Sequence, residues 1–303
     1  MLYQQIDSNK RKTYLIFVIF FLILAALGSF IGYFFIDNIW YGIAFSLIIA
    51  LVYALITYFQ STSIVMSMNN AKKVNSEQEA PELWHIIEDM SMVAQIPFPE
   101  IYIIEDPSPN AFATGRDPQH AAVAVTRGLY DMMNREELEG VMAHEISHVK
   151  NFDIRVSTIS VALSSAIILI CSLIGNAYRF VLPFGDDDDD RNGSWIAVRA
   201  VLWLVGLVFM ILGPIIANLV QMAISRNREY LADVSGANLT QNPQGLIDAL
   251  KKLQSYDQPM KNVDDASAAL YFSDPKKKRS FADWFDTHPP LDKRIERLQK
   301  AFM

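Results

Sequence analysis

The chain has 303 residues, 51 % of them hydrophobic and only 19 % charged, with a mean hydropathy of +0.18. A soluble chain carries roughly 25 % charged residues; here long stretches carry none, which excludes disorder and argues against an ordinary cytosolic globule. The net charge of −7 owes five units to Asp186–Asp190, so the remainder is close to neutral and a nucleic-acid partner is excluded.

Taken in order, residues 13–36 are free of charge over 24 positions, enough to cross a hydrocarbon core about 30 Å thick. A signal-peptide apolar region is shorter and ends in a small-residue cleavage site, so this segment is expected to be retained. Asp37 and Asn38 form a turn, and Ile39 to about Gln60 makes a second span. The polar stretch 61–154 follows. It contains two strand-like runs, Ile101–Ile104 and Ala121–Thr126, with Asn110–Thr114 between them and Pro107, Pro109, Gly115 and Pro118 as punctuation. A helix is expected from Asn134, where Glu137 completes a capping box. Val156–Tyr178 and Ala200 to about Met222 read as third and fourth spans, joined by an acidic loop over 183–194. Residues 223–303 are again polar; 255–286 read as loop or linker, with Lys276–Arg279 as a solvated or headgroup-facing patch. An amphipathic helix closes the chain, with Leu291, Ile295, Leu298 and Phe302 on one face.

The basic residues set the orientation. Lys10, Arg11 and Lys12 precede the first span, Lys72 and Lys73 follow the second, and Arg226 and Arg228 follow the fourth. Positive charge stays inside, so both termini and both polar segments face the cytoplasm, where 61–154 and 223–303 can assemble into one split domain. The acidic loop then lies outside, where five like charges read more simply as solvated than as a cation site.

His144-Glu145-Ile146-Ser147-His148 lies inside the expected Asn134 helix. Residues four apart share a helix face, so both imidazoles can reach one ion, and Glu145 sits beside the place of an activated water as its general base. The single cysteine, Cys171, excludes thiolate ligands and an internal disulfide. Two imidazoles and a carboxylate suit zinc. Glu229 is the candidate third ligand, and Asp233, one turn on, can hydrogen-bond a ligating imidazole. Taken alone, Glu229 reads equally well as an ion-pair partner of Arg226 or Arg228. If both ligand-bearing helices continue straight out of the membrane, His148 and Glu229 stand about 12 Å and 10 Å above it, at about 1.5 Å per residue. His85 and His120 have no supporting pattern. His288 could donate to an oxyanion or merely cap the helix that follows Pro289 and Pro290. Arg294 could orient a carboxylate or face solvent.

Together these motifs resemble the HtpX family of membrane zinc metallopeptidases, related to the CAAX-type prenyl-protein proteases. The matching stretches are Asn110-Ala111-Phe112-Ala113-Thr114-Gly115, Ala143 to His148 with Asp153, Arg228 to Asp233, and Thr287-His288-Pro289-Pro290-Leu291 with Arg294. They run in the family's order and span essentially the whole chain. The resemblance implies an α-helical membrane protein with four transmembrane helices and an α+β, zincin-like cytoplasmic catalytic domain. It implies one zinc held by His144, His148 and Glu229, Glu145 as general base, and His288 as a transition-state donor. Asp233, Asp153 and Arg294 would stand behind the ligands. Asn110, Ala111, Phe112 and Ala113 would be the edge against which an extended peptide is laid. The partners implied are polypeptide substrates, damaged membrane proteins among them, the lipid bilayer and other membrane quality-control proteases.

Two other readings fit less well. An intramembrane protease would place Arg135, Glu136, Glu137, Glu139, Lys150, Asp153 and Arg155 in hydrocarbon, at high cost. A scaffold or transporter with a structural metal would want four protein ligands and more polar residues in its spans than Asn176, Asn218 and Gln221.

Overall fold

The structure, a computed structural model, describes residues 2–35, 37–165, 226–261, 263, 267–275 and 289–302. The two N-terminal apolar runs form a helical hairpin, α1 (Leu2–Phe35) and α2 (Ile39–Met68). Asn38 starts the second arm, its side-chain oxygen accepting from the backbone N–H groups of Trp40 and Tyr41 at 3.0 and 3.3 Å. Residues 7–29 and 39–68 are each long and apolar enough to cross a membrane. Leu15, Val18 and Leu22 of α1 and Phe45, Ile48, Val52, Leu55 and Phe59 of α2 are exposed. An apolar surface of this extent calls for lipid rather than water. The opposite seam, Ile16, Phe20, Leu24 and Ala50, packs on Val156, Ile159 and Leu163 of α6 (residues 153–165). The rest of the expected third span, the fourth span and the acidic loop lie outside the described residues, as do Lys276–Arg279 and His288.

Helix α2 continues eight residues beyond its expected end, and Val65 and Met66 reach the sheet. That sheet has four strands in the order β1 (Lys72–Lys73), β2 (Glu100–Ile104), β4 (Ala121–Thr126), β3 (Ala111–Gly115). The β2–β4 pair is parallel and the other two pairs are antiparallel, which leaves β3 at one edge. Alternation along the strands sorts the side chains. Ile101, Ile103, Ala111, Ala113, Val123 and Val125 face the core built on α3 (Pro81–Ala94) and α5 (Arg135–Lys150), while Ile104, Phe112, Ala122 and Ala124 face the end of α2.

After the short helix α4 (Arg127–Met132), α5 (Arg135–Lys150) begins at the expected capping box. The Asn134 side chain accepts from the Glu137 N–H at 2.9 Å, and the Glu137 carboxylate accepts from the Asn134 N–H at 2.8 Å. This helix is the buried axis of the water-facing part. Helices α7 (Arg226–Thr240) and α8 (Pro243–Ser255) pack directly on it, and α9 (Leu291–Phe302) packs on both of them. One expectation fails. The chain does not run straight from α5 into the third span, because Phe152 takes a left-handed conformation (φ 59°) that ends the helix and redirects the chain into α6. A height above the membrane counted at 1.5 Å per residue therefore does not apply to His148.

Close packing of α7 on α5 depends on Gly236. A Cβ there would lie 2.8 Å from the His144 backbone nitrogen and 3.0 Å from its Cα, and neither backbone atom can swing aside. Gly236→Ala is expected to destabilise the fold by about 1–3 kcal/mol, measured as a lowered unfolding midpoint of the detergent-solubilised protein.

Candidate metal centre

His144 and His148 leave the buried α5 one turn apart, and their Nε2 atoms approach to 3.1 Å. Helix α7 adds Glu229, whose two carboxylate oxygens lie 3.6 Å from His144 Nε2 and 3.5 Å from His148 Nε2. The three residues can each offer a ligand atom within 4.8 Å of the others, and they are the one such trio among the described residues. Ligand atoms about 2.0–2.1 Å from a tetrahedral zinc stand roughly 3.4 Å apart, so the spacing and the donor types both fit that ion. His85 and His120 instead pair on the surface with Glu77 and Asp117.

Each imidazole is aimed by its own carboxylate. His144 Nδ1 lies 3.0 Å from Asp233, whose carboxylate accepts the hydrogen bond from Nδ1–H and so leaves the Nε2 lone pair for a cation. Asp233 is held in turn by a two-pronged contact from Arg294, with Nε at 2.9 Å and Nη2 at 2.6 Å. Arg294 is 0 % exposed. Its Nη1 donates to the Phe272 carbonyl at 2.8 Å, and its guanidinium lies over the Phe272 ring. On the other side, His148 Nδ1 lies 3.0 Å from Asp153. The structure thus brings His144, His148, Glu229, Asp233, Asp153 and Arg294 together.

Buried carboxylates dominate the electrostatics of the site. Burial opposes protonation of His144, but hydrogen bonds to Asp233 and Glu229 outweigh it and push its pKa up to about 9. Burial would likewise raise Asp233, yet Arg294 and His144 hold that carboxyl below its ordinary value. Glu145 is 2 % exposed, and burial raises its pKa even though both imidazoles pull the other way. The backbone of Ala113, on the edge strand, also pulls that value down, as the smallest of these influences.

A cleft of about 350 Å³ opens here, lined by Ala113, Glu145, His148, Arg228, Glu229 and Leu270 among others. Of the four residues expected to hold substrate, only Ala113 lines it. Phe112 points to the opposite face, edge-on to Tyr271, and the Asn110 side chain is engaged with the backbone of Ser273 at 2.8 and 3.1 Å. The Ala111 carbonyl accepts from the Phe272 N–H at 2.7 Å. The segment 267–275, which reads as linker in the sequence, is therefore one wall of the site. Its one visible signal is the apolar run Ala268–Phe272 inside a polar stretch. Asn9 is also absent from the expected site; it donates to Asp153 from α1 at 2.7 Å.

The HExxH helix, a third candidate ligand, Glu229, from a following helix and the edge strand alongside define a metallopeptidase. Consistently, the model of "Peptidase family M48" matches residues 77–302, and the chain belongs to that family. Within it the chain is similar along its whole length to proteases of the HtpX type. A Protease HtpX homolog of Streptococcus pyogenes serotype M28 (strain MGAS6180) is 55 % identical over 302 residues, 99 % of either chain. One from Limosilactobacillus reuteri (strain DSM 20016) is 54 % identical over 303 residues, 99 % of this chain and 100 % of that one. A solved structure, the Ste24p of S. mikatae, aligns with a TM-score of 0.46 at 21 % identity, over 97 % of this chain and 66 % of that one.

Two outcomes are expected. The folded-state pKa of His144 is raised from 6.5 to about 9, so its contribution to stability is fully present below pH 6.5 and is lost as pH rises through about 9. Chelator-stripped protein should show this fall in its thermal midpoint, and His144→Ala should lack it. Arg294→Lys, which removes the two-pronged hold on Asp233, should weaken metal binding by about 10–100-fold, read by competition with a chromogenic chelator.

Proposed function

We propose that this chain is a membrane-anchored zinc endopeptidase that hydrolyses peptide bonds of misfolded or damaged proteins at the cytoplasmic surface of the cell membrane. The observation that carries the reading is the convergence of His144, His148 and Glu229 on one point, with Glu145 buried beside it and an edge strand along the cleft. Zinc, when bound by these three residues, would supply a Lewis acid that polarises a carbonyl and acidifies water.

The chain's own groups do the rest. Glu145 is the general base. Burial raises its proton affinity, so it can accept a proton from attacking water and return it to the leaving amine. Glu145 and Ala113 of the edge strand line the same cleft. An extended peptide would run past Ala113 along the β3 edge, between that strand and Ala269 and Leu270. Main-chain pairing there demands little of the sequence being cut, which suits unfolded substrates. Alongside Ala113, Asn110, Ala111 and Phe112 would shape that edge, and His288 would donate to the oxyanion of the tetrahedral intermediate.

In this reading residues 1–60 are an anchoring pair of transmembrane helices. Segments 61–154 and 223–303 form the split catalytic domain, and 155–222 supplies a second pair with an external loop at 183–194. The N-terminal end of α1 and the C-terminal end of α2 both lie beside the site: Asn9 contacts Asp153, and Asn69 accepts from Ser267 and Tyr271. Their flanking Lys10, Arg11, Lys12, Lys72 and Lys73 support a cytoplasmic placement. Cooperation with other membrane quality-control proteases would follow from such a role.

Glu145→Gln should retain one zinc per chain yet lose about 10²–10⁴-fold in cleavage of an unfolded protein. Metal content by atomic spectroscopy beside a gel-based proteolysis assay measures both, and undiminished cleavage would exclude Glu145 as the base.

A further inference from the structure

We propose that Asn9, on the N-terminal helix, is a positioning residue of the metal centre that acts through Asp153 on His148. The inference rests on the zinc reading above and extends it to a helix that otherwise reads as an anchor.

The Asn9 side chain is 1 % exposed, which is unusual for a polar residue at the mouth of an apolar helix. Its amide nitrogen donates to Asp153 Oδ1 at 2.7 Å and to the Asn151 carbonyl at 3.1 Å, contacts that span 144 and 142 residues of sequence. The other oxygen of Asp153 faces His148 Nδ1 at 3.0 Å. A carboxylate held at one oxygen alone can still rotate its plane. Held at both, it fixes the imidazole as well, and with it the direction in which Nε2 presents its lone pair. Arg228 also approaches Oδ1, its Nη1 at 3.7 Å; Asn9 makes the shorter contact and, being neutral, orients that oxygen without adding charge. A second bond to the Asn151 carbonyl fastens the same amide to the turn that ends α5. One turn along α1, the buried Thr13 hydroxyl donates to the Asn9 carbonyl at 3.0 Å. The first transmembrane helix therefore completes the surroundings of a metal ligand.

The test uses the full-length, detergent-solubilised protein and a double-mutant cycle of Asn9→Ala with Asp153→Ala. Zinc affinity is read by chelator competition, and kcat and KM on an unfolded substrate. Asn9→Ala in the wild-type background should weaken zinc binding and lower kcat, each by about tenfold, with KM unchanged. In the Asp153→Ala background the same change should alter neither by more than about twofold. An equal loss in both backgrounds, or wild-type zinc affinity in Asn9→Ala, would overturn the proposal. Asn9→Leu keeps the buried volume and removes the donor, so it should match Asn9→Ala; wild-type behaviour there would reduce Asn9 to packing. His148→Ala serves as the control. If it still binds zinc as tightly as wild type, the metal reading itself fails, whereas a loss of zinc there with uncoupled Asn9 leaves that reading standing and removes only this one.

Discussion

Two buried hydrogen bonds, His144 to Asp233 and His148 to Asp153, hold the rest of the structure to its plan. Four-residue spacing on a helix brings two imidazoles to one face, but it does not decide how either ring is turned. Each carboxylate makes that decision, and each then needs partners, because a buried charge without them is costly. Asp233 takes Arg294 from α9, and Arg294 takes the carbonyl of Phe272. Asp153 takes Asn9 from α1. Segments from the two ends of the chain are thus gathered around two rings on one helix.

The same constraint explains why α5 is buried and why its neighbours approach so closely. A metal site exposed on all sides would leave Asp233 and Arg294 solvated and loosely placed. Helix α7 must lie near enough to deliver Glu229, and Gly236 permits that by leaving room for the His144 backbone. The sheet contributes its edge to the same assembly. Ala113 lines the cleft beside Glu145, while two residues away the Ala111 carbonyl accepts from the Phe272 N–H. The cleft lies where these two uses of the edge diverge, so the strand borders both Glu145 and the open space beside it.

Part of this arrangement is written in local sequence. The charge-free runs at 13–36 and 39–60, the Asn134 capping box and the strands β2 and β4 depend on neighbouring residues, and the structure forms each of them, with the two helices extending beyond the apolar runs to Leu2 and Met68. The HExxH spacing is likewise a property of one helix. Glu229 and Asp233 needed more, because their pairing with α5 crosses about 80 residues of chain; their own one-turn spacing was the visible clue. Asn9 and the turn at Phe152 had no such clue, and the wall formed by 267–275 only the short apolar run Ala268–Phe272. An asparagine, a phenylalanine and a short apolar run are common residues whose roles arise only from what they meet in space.

The sequence by itself determined which residues could do the chemistry, because ligand type, charge and helical spacing are local properties that survive without a fold. Only the tertiary structure decided which atoms those residues present to one another. Ring orientation, the two-pronged hold on Asp233 and the contact from Asn9 are long-range hydrogen bonds between buried groups. Such bonds form only after packing has excluded water and left each group no other partner.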